Sequence, residues 1–122
     1  MSEGLQIVSA VSNPHATDPK LEIVLDELSS ALNARLGNRF AGIWLYGSQA
    51  RGDAGPESDI DLVLLLHNMD QPGKEIDRIA DILADLNLKY GALVSVLPIE
   101  ESELHRAKGP FWRNVLREGH AA

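Results

Sequence analysis

Gly47-Ser48 and Asp59-Ile60-Asp61 are the residues of this 122-residue chain whose types and spacing could do chemistry. Side chains alternate across a strand, so Asp59 and Asp61 point to one face, about 7 Å apart by Cα, while Ile60, Leu62 and Leu64 point to the other. Two carboxylates converging in a partly buried site repel one another and raise at least one pKa, unless a cation or a cluster of donors compensates. The chain has no cysteine and its histidines, His15, His67, His105 and His120, are scattered. Oxygen donors alone suit Mg²⁺ or Mn²⁺ rather than Zn²⁺, and Mg²⁺ usually keeps positions open for water and substrate phosphates.

An isolated D-x-D recurs by chance, and its plain alternative is that Asp59 ends the turn "GPES" while Asp61 is the solvent-facing alternate of an edge strand. Gly47-Ser48 changes the balance. A glycine at a strand end lets a bulky ligand approach the backbone, and the segment "SQARGDA" after it would offer free amides at a helix N-terminus, where phosphate binds well. Neither a Walker loop nor a dinucleotide fingerprint fits "GSQARGDAG", which lacks the lysine of the first and the glycine spacing of the second.

The elements that must position these groups alternate. Leu21, Val24, Leu25, Leu28, Leu32 and Leu36 fall at helical spacing in "ATDPKLEIVLDELSSALNARLG", with Asp18 as a cap, Pro19 in the first turn and Gly37 as the stop. "RFAGIWLYG" and "DIDLVLLL" read as strands, the second too apolar to face solvent on either side. "PGKEIDRIADILADLNLKYG" returns to helical spacing through Ile76, Ile79, Leu83 and Leu86 and ends at Gly91. "ALVSVLPI" is a third strand, "EESELHRAK" gives helical turns, and Pro110 opens a last helix in "GPFWRNVLREG". On that helix Phe111, Trp112, Val115 and Leu116 form an apolar face opposite Arg113 and Arg117. Phe111 and Val115 are expected to dock on the sheet, and Trp112 is the candidate for a protein interface. The expected fold is α/β, a small mixed sheet with helices packed on it. Residues 17–122 make one domain, and residues 1–16 an N-terminal arm or an added edge strand.

Composition narrows the function classes. The formal net charge is −7. A duplex-binding module held by phosphate neutralisation needs a basic face, so nucleic acid is not the expected partner. The N-terminal segment has neither a basic n-region nor an apolar run of membrane-spanning length, and the expected location is the cytoplasm.

Gly47-Ser48, ten intervening residues and then Asp59-Ile60-Asp61 in an apolar strand resemble the signature of the nucleotidyltransferase superfamily typified by DNA polymerase beta. The fuller string "YGSQARGDAGPESDIDLVLLL" resembles more narrowly the minimal nucleotidyltransferases, small antitoxin-like proteins encoded beside HEPN-domain partners. The resemblance implies a polymerase beta palm-like fold and a site for ATP or another nucleoside triphosphate. In that site the Gly47 amide and Ser48 hydroxyl would hold the β and γ phosphates, and Asp59 and Asp61 would bind Mg²⁺. Arg51 sits where a guanidinium could brace phosphate; its alternative is a solvated arginine or one paired with Asp53. The implied reaction moves a nucleotidyl group, AMP first among them, to a hydroxyl of a HEPN-domain partner, in a homo- or hetero-oligomer.

One position departs from the pattern. Active relatives take a third carboxylate from the next core strand, and the aligned residue here is Ser95, a poor metal ligand and a poor base at neutral pH. Glu100 or Glu101 could reach in from beyond the strand end, or could instead favour the dipole of the following turn. The rival to an enzyme is therefore a non-enzymatic antitoxin-like subunit that neutralises a HEPN toxin by contact. Transfer to a small molecule such as an aminoglycoside would need a substrate domain beyond this one.

Overall fold

A computed structural model describes residues 19–52 and 59–122. The expected N-terminal arm and the Asp18 cap lie outside the described residues. Leucine spacing makes helix α1, Pro19–Leu36, which buries Leu21, Val24, Leu28, Leu32 and Leu36 on one face. A short 3-10 turn leads into strand β1, Phe40–Tyr46. Then come a five-residue helix α2, Gly47–Arg51, strand β2, Ile60–Leu66, and helix α3, Pro72–Tyr90. Strand β3, Val94–Glu100, precedes a 3-10 turn, helix α4, Pro110–Glu118, and a two-residue strand β4, His120–Ala121.

The sheet order is β3-β2-β1-β4. β1 pairs antiparallel with both β2 and β4, whereas β2 and β3 run parallel, with α3 as the crossover such a pair requires. The sheet is mixed and the fold α/β, as the sequence led us to expect. β2 is a central strand, which overturns the edge-strand alternative for Asp61. Its residues from Leu62 to Leu66 are all buried. Leu62, Leu64 and Leu66 join the main core with α1 and α3, while Val63 and Leu65 meet Leu104 and Val115 on the other face. Removing any of the fully buried leucines of β2 would cost about 2–5 kcal/mol.

Two expectations about helix faces change. Val115 is buried and Trp112 half-buried in the cluster on the Val63 face, while Phe111 meets the sheet only edge to face at Tyr46 and stays 46% exposed. Trp112 thus joins the packing expected of Phe111. The Trp44 indole N–H donates to the Val115 carbonyl at 2.8 Å and fixes how α4 lies. In α3 the buried face runs through Glu75, Ile79, Ile82 and Leu86, turned from the expected set so that a carboxylate is inside.

Glu75 anchors the end of the sheet where β1 begins and β2 finishes. Its Oε2 accepts the Asp70 N–H at 2.7 Å and a hydrogen bond from Arg39, and its Oε1 is ion-paired with Arg78 at 3.1 Å. Burial alone would raise its pKa; the Asp70 N–H, Arg39 and Arg78 outweigh burial and leave it lowered. At the same end the Glu100 carboxylate accepts the backbone N–H groups of Asn68 and Met69 at 3.2 and 2.9 Å.

A carboxylate whose folded pKa lies below its unfolded value gives stability that is complete above the unfolded value and lost as pH falls through the folded one. Glu75→Ala leaves two cations without their shared partner and should cost on the order of 3 kcal/mol at pH 7. Glu75→Gln should in addition flatten the acid limb of the stability curve below the unfolded glutamate pKa. Urea titrations from pH 7 to pH 3 measure both; an acid limb identical to that of the unsubstituted protein would show that Glu75 contributes no linkage.

Candidate active site

β1 ends where α2 begins, and at that junction the chain turns sharply. Tyr46 is extended, with φ −140° and ψ −174°, and Gly47 has φ +75°, a left-handed conformation that a side chain disfavours. A Cβ built on Gly47 would lie 2.6 Å from Oδ2 of Asp61. The turn and the carboxylate are thus in close contact across β1 and β2. Ser48 follows in the first turn of α2, half-buried, and its carbonyl accepts the Gly52 N–H at 3.0 Å.

Strand register gathers the other groups. Tyr46 is the ladder partner of Asp61 on β1, and Ser95 is its partner on β3, so the three side chains form a row across three strands on one face. Ile60 points away into the main core, which leaves Asp59 on the Asp61 side of the chain. Burial pushes the Asp61 carboxyl above its ordinary range, the Asp59 charge adds to the rise, and the Arg51 guanidinium opposes it. Burial and then the charge of Asp61 likewise raise the Tyr46 hydroxyl. Asp59 itself is exposed.

Gly47, Asp59 and Arg51 are therefore each close enough to act on Asp61, with Ser48 next in the chain after Gly47. Arg51 is ion-paired with Glu118 of α4 at 3.1 Å; Asp53, its expected alternative partner, lies outside the described residues. Ser95 faces the site as an exposed residue beside Asp61. Glu100 does not reach it. It stands five residues beyond Ser95 on the same strand, about 16 Å away at strand rise, where it caps the Asn68–Met69 turn. Glu101 begins the 3-10 turn beyond that end of β3 and is equally remote.

Among the described residues no three His, Cys, Asp or Glu side chains are grouped to hold a metal ion. Asp59 and Asp61 supply hard oxygen donors only, and their mutual repulsion is the kind a divalent cation relieves. They fit Mg²⁺ or Mn²⁺ provided phosphate or water completes the coordination. Sequence reasoning passed over Tyr46 and Glu118. Strand alternation counted back from Gly47 would have found the first; the second rests on a long-range contact with no sequence signal.

The family model for the nucleotidyltransferase domain matches residues 25–117, and the chain belongs to this family. A relative from Methanocaldococcus jannaschii, assigned as a protein adenylyltransferase, is 38% identical over 100 residues, 80% of this chain and 93% of that one. A second from the same organism with the same assignment is 33% identical over 87 residues, 69% of this chain and 58% of that one. A nucleotidyltransferase-assigned structure from Sulfolobus solfataricus shares the fold with TM-score 0.58 at 16% identity, covering 88% of this chain and 85% of that one. So does a toxin-antitoxin structure with AMP-PNP, with TM-score 0.55 at 18% identity, covering 79% and 69%. The resemblance to minimal nucleotidyltransferases is borne out at the level of family and fold. No helix among the described residues is long and apolar enough to cross a membrane.

Gly47→Val should combine backbone strain of about 1–3 kcal/mol with displacement of the Asp61 carboxylate. We expect a folded but less stable protein that binds a nucleoside triphosphate at least tenfold more weakly, read by calorimetry beside a thermal melt. Undiminished binding by folded Gly47→Val protein would remove this turn from the site.

Proposed function

We propose that the chain is a Mg²⁺-dependent nucleotidyltransferase, with Mn²⁺ as the second choice of metal, that takes ATP or another nucleoside triphosphate. It moves a nucleotidyl group, AMP first among them, to a hydroxyl of a partner protein. The partner we propose is a HEPN-domain protein, met in the cytoplasm in an antitoxin-like assembly. The observation that carries this reading is the contact of Gly47 with Asp61 at the end of a central strand, with Asp59 and Ser95 on the same side. Support also comes from the relatives assigned as protein adenylyltransferases and from the related fold seen in a toxin-antitoxin structure with AMP-PNP.

Each residue then has a role. The Gly47 amide and the Ser48 hydroxyl donate to the β and γ phosphates, which can come close because position 47 has no side chain. Arg51, oriented by Glu118, braces phosphate from the α2 side. Asp59 and Asp61 hold the cation, and when bound it neutralises charge on the phosphates and on the leaving pyrophosphate. The acceptor oxygen bonds to the α-phosphorus as the bond to the bridging oxygen breaks, and pyrophosphate leaves with that electron pair. The acceptor's proton passes to solvent water, because among the described residues the position beside Asp61 on β3 is held by Ser95 rather than by a carboxylate.

Ser95 also favours the second reading, a subunit that retains the nucleotide fold but neutralises its partner by contact alone. Labelled ATP, Mg²⁺ and the product of the neighbouring gene separate the two. The enzyme reading expects label on the partner, reduced at least a hundredfold by Asp61→Asn and by Asp59→Asn with the melting temperature preserved. Ser95→Asp should raise both metal affinity and the rate of transfer. Partner neutralisation without label, undiminished by Asp61→Asn, would decide for the contact-only subunit.

A further inference from the structure

Phe111 is a large aromatic side chain left 46% exposed on a helix whose other apolar residues are turned inward. Full burial of such a side chain would be worth about 1.5–3 kcal/mol, and that gain is partly forgone here. Its location is specific. The Phe111 ring centroid lies 5.7 Å from that of Tyr46, with an interplanar angle of 87°. Tyr46 is the ladder partner of Asp61 and immediately precedes Gly47. On its other side Phe111 meets Trp112 at 5.1 Å and 81°. Both neighbours stand edge to face with Phe111 and neither is stacked flat upon it. The ring is held from two directions, and 46% of the residue stays exposed for a further partner.

The main chain reinforces this placement. Pro110 opens α4, so Phe111 sits in its first turn, and the bond from the Trp44 indole to the Val115 carbonyl ties the next turn to β1. At the far end of the same helix Glu118 reaches Arg51. α4 therefore flanks the site along its length, with an aromatic ring at one end and an arginine partner at the other.

We infer that Phe111 is the stacking platform for the nucleobase of the bound nucleoside triphosphate, with purines preferred for their larger face. The inference rests on the nucleotide-binding reading above and adds the subsite that reading lacks. No group is required to read base edges, since every base has a π face and stacking tolerates sequence. Selectivity for ATP over GTP should accordingly be slight, and selectivity for either over UTP or CTP larger.

Calorimetry with ATP and with inorganic tripolyphosphate, both with Mg²⁺, tests this on the wild type, Phe111→Ala, Phe111→Leu and Phe111→Trp. Loss of a stacking partner should weaken ATP binding on the order of tenfold in Phe111→Ala, and nearly as much in Phe111→Leu, which keeps apolar bulk without a π face. Tripolyphosphate affinity should stay unchanged in both, and Phe111→Trp should restore or tighten ATP binding. Phe111→Leu holds the packing against Tyr46 and Trp112 and so separates stacking from folding. A wild type that binds ATP no better than tripolyphosphate, or ATP affinity untouched by Phe111→Ala, would overturn the inference and leave the phosphate site standing. Weakened transfer to a protein acceptor with unchanged ATP affinity would also overturn it, because Phe111 would then serve the acceptor. Binding of neither ligand by the wild type would instead remove the nucleotide reading, and the inference with it.

Discussion

The two-residue alternation of β2 is the constraint on which the rest of the molecule depends. Its residues are buried on both faces, so each register position is fixed by packing: Leu62, Leu64 and Leu66 against α1 and α3, Val63 and Leu65 against Leu104 and Val115. A slip of one residue would carry Asp61 into the leucine core and Ile60 to the site face, exchanging an apolar burial for a desolvated charge. The core thus holds the carboxylates in place without touching them. Gly47 is bound by the same constraint, since its close approach to Asp61 exists only in this register.

Charge is divided between the two ends of the sheet. At one end Asp59 and Asp61 face each other with partial compensation from Arg51, and Asp61 has a raised pKa. At the other, about 20 Å away along β2, Glu75 is buried with Arg39 and Arg78 beside it and has a lowered one. Paired buried charge of the second kind is held by the fold, whereas the first is only partly compensated among the described residues. This difference, rather than acidity as such, separates the two clusters and is why the proposed site is placed at the first.

Much of the fold was legible because it rests on local periodicity. The leucines of α1, the unbroken apolar run of β2 and the glycine stops all folded as their spacing implies. The juxtaposition of Gly47 with Asp61 followed from strand alternation and the turn between them. What escaped the sequence was long-range compensation. Glu75 is buried with the Asp70 N–H and Arg78 beside it and with Arg39, thirty-six positions earlier, donating to it, and this last partner has no local sequence signal. The roll of α4, which turns Trp112 inward and leaves Phe111 partly exposed beside Tyr46, is tied to the indole of Trp44. β4 was invisible because two residues carry no period, yet they pair with Trp44 and Leu45 on the outer edge of β1.

The separation of the two ends has an evolutionary consequence. Asp59, Asp61 and Ser95 stand outside both buried clusters, so substitutions there change charge at that end of the sheet while leaving the packing that holds the fold. A lineage built on this scaffold can therefore vary the chemistry of this end without passing through an unstable intermediate. Ser95, exposed and outside the core yet beside Asp61, is a position where such variation is free to accumulate.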